Sequence, residues 1–154
     1  MNLEIVRYSD EYAKDFRDLN VAWLQKYFVV EPVDKELLSD PKKSIISKGG
    51  YIFFAKVGNE IAGTFALVKI GNGVFELAKM AVKECFIGKK IGNKMLEFCF
   101  EEAKRLKTDK IILYSNKKLQ PALHLYKKFG FQEVPLDSTE YERADIKMEI
   151  EIHY

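Results

Sequence analysis

Phe75-Glu-Leu-Ala-Lys-Met-Ala-Val82, continued by Lys-Glu-Cys-Phe-Ile87-Gly-Lys-Lys-Ile-Gly92-Asn93, is a strand that runs into a glycine-punctuated turn and then opens a helix at about Ile91. A helix start leaves its first backbone N–H groups without partners inside the helix. With the positive end of the helix dipole, those donors form a ready site for a phosphate group.

Upstream, Tyr51–Val57 and Ile61–Ile70 read as strands joined by a tight turn at Gly58-Asn59-Glu60. Gly71-Asn72-Gly73 is a second turn, which returns the chain along Val74–Val82. The prediction is a three-stranded antiparallel meander that delivers its last strand to the turn.

Downstream, Ile91, Met95, Phe98, Cys99, Ala103 and Leu106 recur at helical spacing, so a helix is expected from about Lys90 to Lys107. Lys110-Ile-Ile-Leu-Tyr114 is short and nearly all apolar, as for a strand covered on both faces. Strand, helix and strand form a right-handed crossover, which makes the strands ending at Val82 and Tyr114 parallel. Pro121 then opens a helix with Ala122, Leu125, Tyr126 and Phe129 on its apolar side and Gly130 at its end. Phe131–Pro135 and Arg143–Ile152 read as a closing antiparallel pair.

At the N-terminal end, residues 2–8 alternate as a first strand, with Ser9 and Asp10 as N-caps of a helix carrying Tyr12, Phe16, Leu19, Trp23, Leu24 and Tyr27 on one stripe. Asp34 is placed as the cap of a short helix through Leu38, and Asp40-Pro41 starts another turn that ends at Gly49-Gly50. These pieces form either a lid over a substrate or packing on one sheet face. The predicted class is α/β, in the α+β sense: a single domain over residues 1–154 with a mixed, mostly antiparallel sheet and helices on it.

The 154 residues, 47% hydrophobic and 31% charged, suit one globular core. Twenty-five Lys and Arg against 23 Asp and Glu leave a formal charge of +2. That balance argues against nucleic acid or an anionic membrane surface as partner, since either favours a concentrated basic face. Cys85 and Cys99 have no metal-ligand spacing around them and read as reduced thiols, so no metal is expected. No apolar run has the length of a membrane span and no leader pattern opens the chain, which makes the cytoplasm the expected location.

Three blocks taken together resemble the GNAT superfamily of acetyl-CoA-dependent N-acetyltransferases, over essentially the whole chain. Glu76-Leu77…Met80-Ala81-Val82 is similar to the family's fourth strand. Ile87-Gly-Lys-Lys-Ile-Gly92 falls where the family has its Arg/Gln-x-x-Gly-x-Gly/Ala pyrophosphate loop. Asn116…Ala122-Leu-His-Leu-Tyr126-Lys-Lys-Phe-Gly130-Phe131 is similar to the Asn-x(5)-Ala-x-x-Leu-Tyr-x-x-x-Gly-Phe block. Two positions depart: Ile87 stands for Arg/Gln, and Lys90 stands for the first Gly.

The resemblance implies a mostly antiparallel sheet whose central parallel pair splays at the cofactor site. It implies acetyl-CoA held by Met80, Ala81, Val82, the loop residues Ile87, Gly88, Lys89, Lys90, Ile91, Gly92 and Asn93, and also by Asn116 and Tyr126. A Val82 or Ala81 N–H would face the thioester oxygen. Tyr126 matches the family's general acid, with a merely packed ring as the alternative. Glu76 matches a general base, with an anionic anchor for a cationic substrate as the alternative. Asn116 either bonds the pantetheine arm or simply forms a turn. His124 reads as surface. Glu31, Asp34, Asp137 and Glu140 are candidates to attract a cationic acceptor, a small-molecule or peptide amine. The expected assembly is a monomer or homodimer. A catalytically weak acyl-CoA sensor of the same fold is the alternative function, and a cofactor-free interaction module built on exposed aromatics at Trp23–Phe28 is a third.

Overall fold

The computed structural model describes residues 2–136 and 138–153. Seven strands form one sheet in the order β1-β2-β3-β4-β5-β7-β6. They are β1 (Leu3–Arg7), β2 (Tyr51–Val57), β3 (Glu60–Gly71), β4 (Val74–Val82), β5 (Lys110–Ser115), β6 (Gln132–Val134) and β7 (Ile146–Glu151). Only β4 and β5 are parallel to each other; every other neighbouring pair is antiparallel. The predicted meander is β2-β3-β4, and the predicted parallel pair is β4-β5.

The helices are α1 (Ala13–Tyr27), α2 (Pro32–Ser39), α3 (Pro41–Ser44), α4 (Ile91–Arg105) and α5 (Gln120–Lys128). They cover both faces of the sheet, and β2 shows why both faces are needed. Alternate strand residues point to opposite faces, yet Ile52, Phe53, Phe54 and Ala55 are all buried. Ile52 and Phe54 pack in a core with Phe16 and Leu24 of α1 and Leu38 of α2. Phe53 and Ala55 pack in the other core with Met95, Leu96 and Cys99 of α4 and with Leu123 of α5.

Several boundaries differ from the sequence reading. The helix after the first strand opens as a 3-10 turn at Asp10–Tyr12, and Ser9 makes no side-chain cap there. The short helix α2 begins at Pro32 with Glu31 as N-cap. Asp34 is its third residue and reaches back to the Glu31 N–H in a reciprocal capping box, rather than being the cap itself. Asp40 does cap α3, accepting from the Lys43 N–H at 3.3 Å.

The feature that positions the site is a break in the parallel pair. β4 and β5 pair only at Val74↔Lys110, Phe75↔Ile111 and Glu76↔Ile112. Three residues further on, β4 bulges: its register with β3 shifts between Thr64 and Ala66, and Lys79 takes φ 55°. A bulge bends and twists the strand that carries it, so beyond Glu76 β4 turns away from β5. Meanwhile β5 continues to Ser115 paired with β7 alone. The predicted splay is present, and its cause is this bulge.

Candidate active site

The parting strands enclose a cavity of about 270 Å³. Its walls include Glu76 and Met80–Val82 from β4, Tyr114 and Asn116 at the end of β5, and Leu125 and Tyr126 from α5. Trp23, Tyr27 and Phe28 close it from the end of α1, and Tyr141 and Arg143 close it from the segment before β7. Ile87 and Gly92 of the turn reach the same cavity. The aromatics at Trp23–Phe28 are half-buried against it, not an open surface patch.

The turn itself leaves backbone N–H groups uncapped at the start of α4. Gly88 has φ 86° and Lys90 has φ 62°, ψ 26°. The residue in the place of the family's first glycine therefore holds the left-handed conformation that glycine favours, at a strain of ~1 kcal/mol. No side chain caps α4, and its first intrahelical bond runs from the Lys94 N–H to the Lys90 carbonyl at 3.2 Å. The N–H groups of Ile91, Gly92 and Asn93 thus have no i−4 carbonyl to donate to. Gly92 lets α4 and α5 approach, since a Cβ there would lie 3.2 Å from Leu125 Cδ2. Lys89 lies over the Phe86 ring and Lys94 is 3.7 Å from Glu97.

Strand alternation sets the direction of the β4 amides. The Lys83 N–H donates to the Ala62 carbonyl of β3 at 2.7 Å, so the Val82 N–H points the opposite way, into the splay.

Glu76 sits where the strands part and is 9% exposed. Burial pushes its carboxyl from 4.5 up to about 7; the Lys79 charge pulls it down in part, and Glu140 adds to the rise. Tyr126 stands edge-on to Phe131 at 5.8 Å. Burial raises its phenol to about 12, which keeps it protonated at neutral pH. Asn116 uses its side chain on the backbone: Nδ2 donates to the Arg143 carbonyl at 2.7 Å, and Oδ1 accepts from the Lys118 N–H at 2.9 Å. The turn-forming role left open above is thus observed. His124 is exposed, as expected.

A buried ion network beside Glu76 escaped the sequence reading. Lys79 Nζ donates to Asp34 Oδ1. Arg143 grips the same carboxylate with both terminal nitrogens, at 2.7 and 2.8 Å, and reaches Glu31 at 3.0 Å. Glu31 also accepts from the backbone N–H groups of Glu142 and Arg143. Burial alone would raise the Asp34 pKa, but the hydrogen bonds from Arg143 and Lys79 outweigh it and hold the carboxyl at about 2. Burial lowers the Lys79 pKa, opposed by Asp34. The Tyr141 ring lies within 5 Å of both cations, at 4.9 Å from Lys79 and 4.7 Å from Arg143.

Glu31 and Asp34 are therefore internal counter-ions and not free attractors of a cationic acceptor. Asp137 lies outside the described residues. Among the described residues no group of His, Cys, Asp or Glu is arranged to hold a metal ion, and no helix is long and apolar enough to cross a membrane.

Comparison with known proteins agrees with this geometry. The sequence model of the acetyltransferase (GNAT) domain matches residues 48–133. The uncharacterized N-acetyltransferase YvbK of Bacillus subtilis is 33% identical over 110 residues, covering 70% of this chain and 71% of that protein. A GNAT-family acetyltransferase from Staphylococcus aureus Mu50 superposes with a TM-score of 0.88 at 21% identity, over 99% of this chain and 100% of that one. A Bacillus subtilis acetyltransferase solved in complex with CoA superposes with a TM-score of 0.76 at 21% identity, over 99% and 100% of the two chains. The family match, the YvbK relationship and the shared fold lead to one conclusion: this chain belongs to the GNAT family of acetyltransferases, enzymes that use acetyl-CoA as donor.

Proposed function

We propose that this protein transfers the acetyl group of acetyl-CoA to a primary amine, directly, with both substrates bound in the cavity between β4 and β5. The observation that carries the reading is Glu76: a buried carboxyl of pKa about 7, at the point where the strands part, in the same cavity as Val82 and Tyr126.

The residues present fit the cofactor. The N–H groups of Ile91, Gly92 and Asn93, with Gly88 and Lys90 shaping the turn, suit a pyrophosphate. Main-chain donors do this work, so Ile87 in place of Arg or Gln does not remove it. Lys89, Lys90 and Lys94 add positive charge around the turn. The apolar gap lined by Met80, Ala81, Leu125 and Ile87 suits a pantetheine arm. When bound, acetyl-CoA supplies an acyl group activated as a thioester.

The chain's own groups serve the remaining needs. Glu76, ionised above about pH 7, accepts a proton from the incoming ammonium, directly or through water, and frees the nucleophilic lone pair. The Val82 N–H directs its dipole at the acyl oxygen as negative charge develops there. Tyr126 keeps its proton at neutral pH and donates it to the departing sulfur as the carbon–sulfur bond breaks, and the second proton lost by the newly acylated nitrogen restores the phenol, directly or through water.

The test is release of free CoA when acetyl-CoA and a panel of primary amines are mixed with the protein. Amine-dependent release supports the proposal. Calorimetric binding of acetyl-CoA without release across the panel supports the silent sensor instead. No binding at millimolar acetyl-CoA refutes both.

A further inference from the structure

The same cavity selects among amines by charge, an inference that rests on its being the acceptor site for acetyl transfer. Of the residues that line it, only Lys79 and Arg143 are cationic and only Glu76 is acidic. Both cations are committed. The Lys79 side chain is 3% exposed and bound to Asp34, and Arg143 is held by Asp34 and Glu31. Two cations and two carboxylates close a neutral set, which leaves no uncommitted positive charge among the lining residues; outside the lining, Lys118 lies 4.0 Å from the Phe28 ring and is spent on the Tyr27 carbonyl.

The rest of the lining is apolar and aromatic, with Asn20, Ser115 and Asn116 as its uncharged polar side chains. Trp23 packs at a tilt against Tyr27 and Phe28, with ring centroids 5.4 and 5.7 Å apart, and Tyr114 lies 6.4 Å from Tyr141. These rings come from different elements and line the same cavity as Glu76.

We infer that the acceptor is an arylalkylamine, a primary amine on an aromatic body with no charge besides its ammonium. The ammonium is met by Glu76 and by the negative ring faces. An amino acid of the same shape would bring its carboxylate beside Glu76 with both lining cations already occupied. A polyamine would bring a second ammonium, and the cavity's lining offers no second free carboxylate; Glu140, whose charge reaches Glu76, is exposed and stands outside that lining. Asp18 and Glu84 line the adjoining groove but are paired with Arg17 and Lys26. Asp15 lines the same groove, and the polyamine arm of the experiment tests whether these acids recruit a second cation.

The experiment compares tyramine, tyrosine and spermidine as acceptors for the wild-type protein with saturating acetyl-CoA, following free CoA and identifying products by mass. Tyramine and tyrosine present the same ring and the same primary ammonium and differ only by the carboxylate. The expected kcat/KM for tyramine exceeds that for tyrosine by at least about a hundredfold, the scale of leaving one buried polar group without a partner, and exceeds that for spermidine by at least about tenfold. Equal or faster acetylation of tyrosine or of spermidine overturns the inference. Binding of acetyl-CoA with none of the three acetylated also overturns it while leaving the cofactor reading intact. Failure to bind acetyl-CoA removes the reading beneath it.

Discussion

Replacing Glu76 by Gln removes a buried carboxyl poised near neutral pH while keeping its size. Burial lifts this carboxyl from 4.5 to about 7, net of the pull from Lys79 and the push from Glu140. A shift of that size corresponds to roughly 3 kcal/mol between its two protonation states. If the ionised form is the base, about a tenth of the protein is competent at pH ~6 and about nine-tenths at pH ~8, so kcat/KM rises about tenfold across that interval. A carboxyl at its ordinary value would change by only a few per cent over the same range. The assay is free CoA release measured by chromatography, at subsaturating amine, in buffers of constant ionic strength. Glu76→Gln is expected to flatten the acidic limb and to lower the plateau by ~10²–10⁴. Lys79→Met takes away the nearby positive charge and is expected to move the limb to higher pH in an otherwise active protein. An unchanged limb in Glu76→Gln refutes the assignment, because the titrating group then lies elsewhere.

Tyr126→Phe keeps the ring packed on Phe131 and removes only the proton donor. Turnover is expected to fall at least about tenfold with acetyl-CoA affinity nearly intact, and unchanged turnover ends the acid role. Asp34→Ala removes the carboxylate that both buried cations share, leaving Arg143 with Glu31 and Lys79 with no directly bonded acid, and is expected to cost ~3–5 kcal/mol in urea unfolding; a loss below about 1 kcal/mol contradicts the network's role. Asp34 also sets a pH dependence of stability. Its folded value of about 2 lies below the unfolded 3.8, so its contribution is present above about pH 4 and lost as pH falls towards 2. That contribution amounts to ~2 kcal/mol, and its absence in Asp34→Asn is the check.

Much of the architecture was legible because local signals agreed with it. The turns at Gly58-Asn59 and Gly71-Gly73 bracket the β2-β3-β4 meander, and the apolar spacing from Ile91 to Ala103 marks the helix that forces a crossover. The turn before α4 was legible for the same reason: Gly88, Lys90 and Gly92 lie close together in sequence, and the positive φ of Gly88 and Lys90 is a local backbone feature. Glu76 and Tyr126 were singled out as candidates through the motif blocks around them, since nothing in the alternation of β4 separates Glu76 from a solvated strand carboxylate.

The ion network was not legible. Lys79 reads as the polar partner of Ala78 and Met80 on a strand, and only the bulge at its positive φ turns its side chain into the protein. Its partner Asp34 is 45 residues away and has a sufficient local reading at a helix start. Arg143 precedes a strand and meets Asp34 across 109 residues. Contacts of that range depend on how α2 and the segment before β7 settle over the sheet, which no window of sequence encodes.

The central claim is that acetyl-CoA lies in the gap between β4 and β5 with its phosphates at the start of α4. Amide NMR during titration with acetyl-CoA tests it most directly. The account expects saturable shifts at Val82, Gly88, Ile91, Gly92 and Asn93, with little change along β1. Absence of shifts at millimolar acetyl-CoA, or saturable shifts confined to another face, would contradict it.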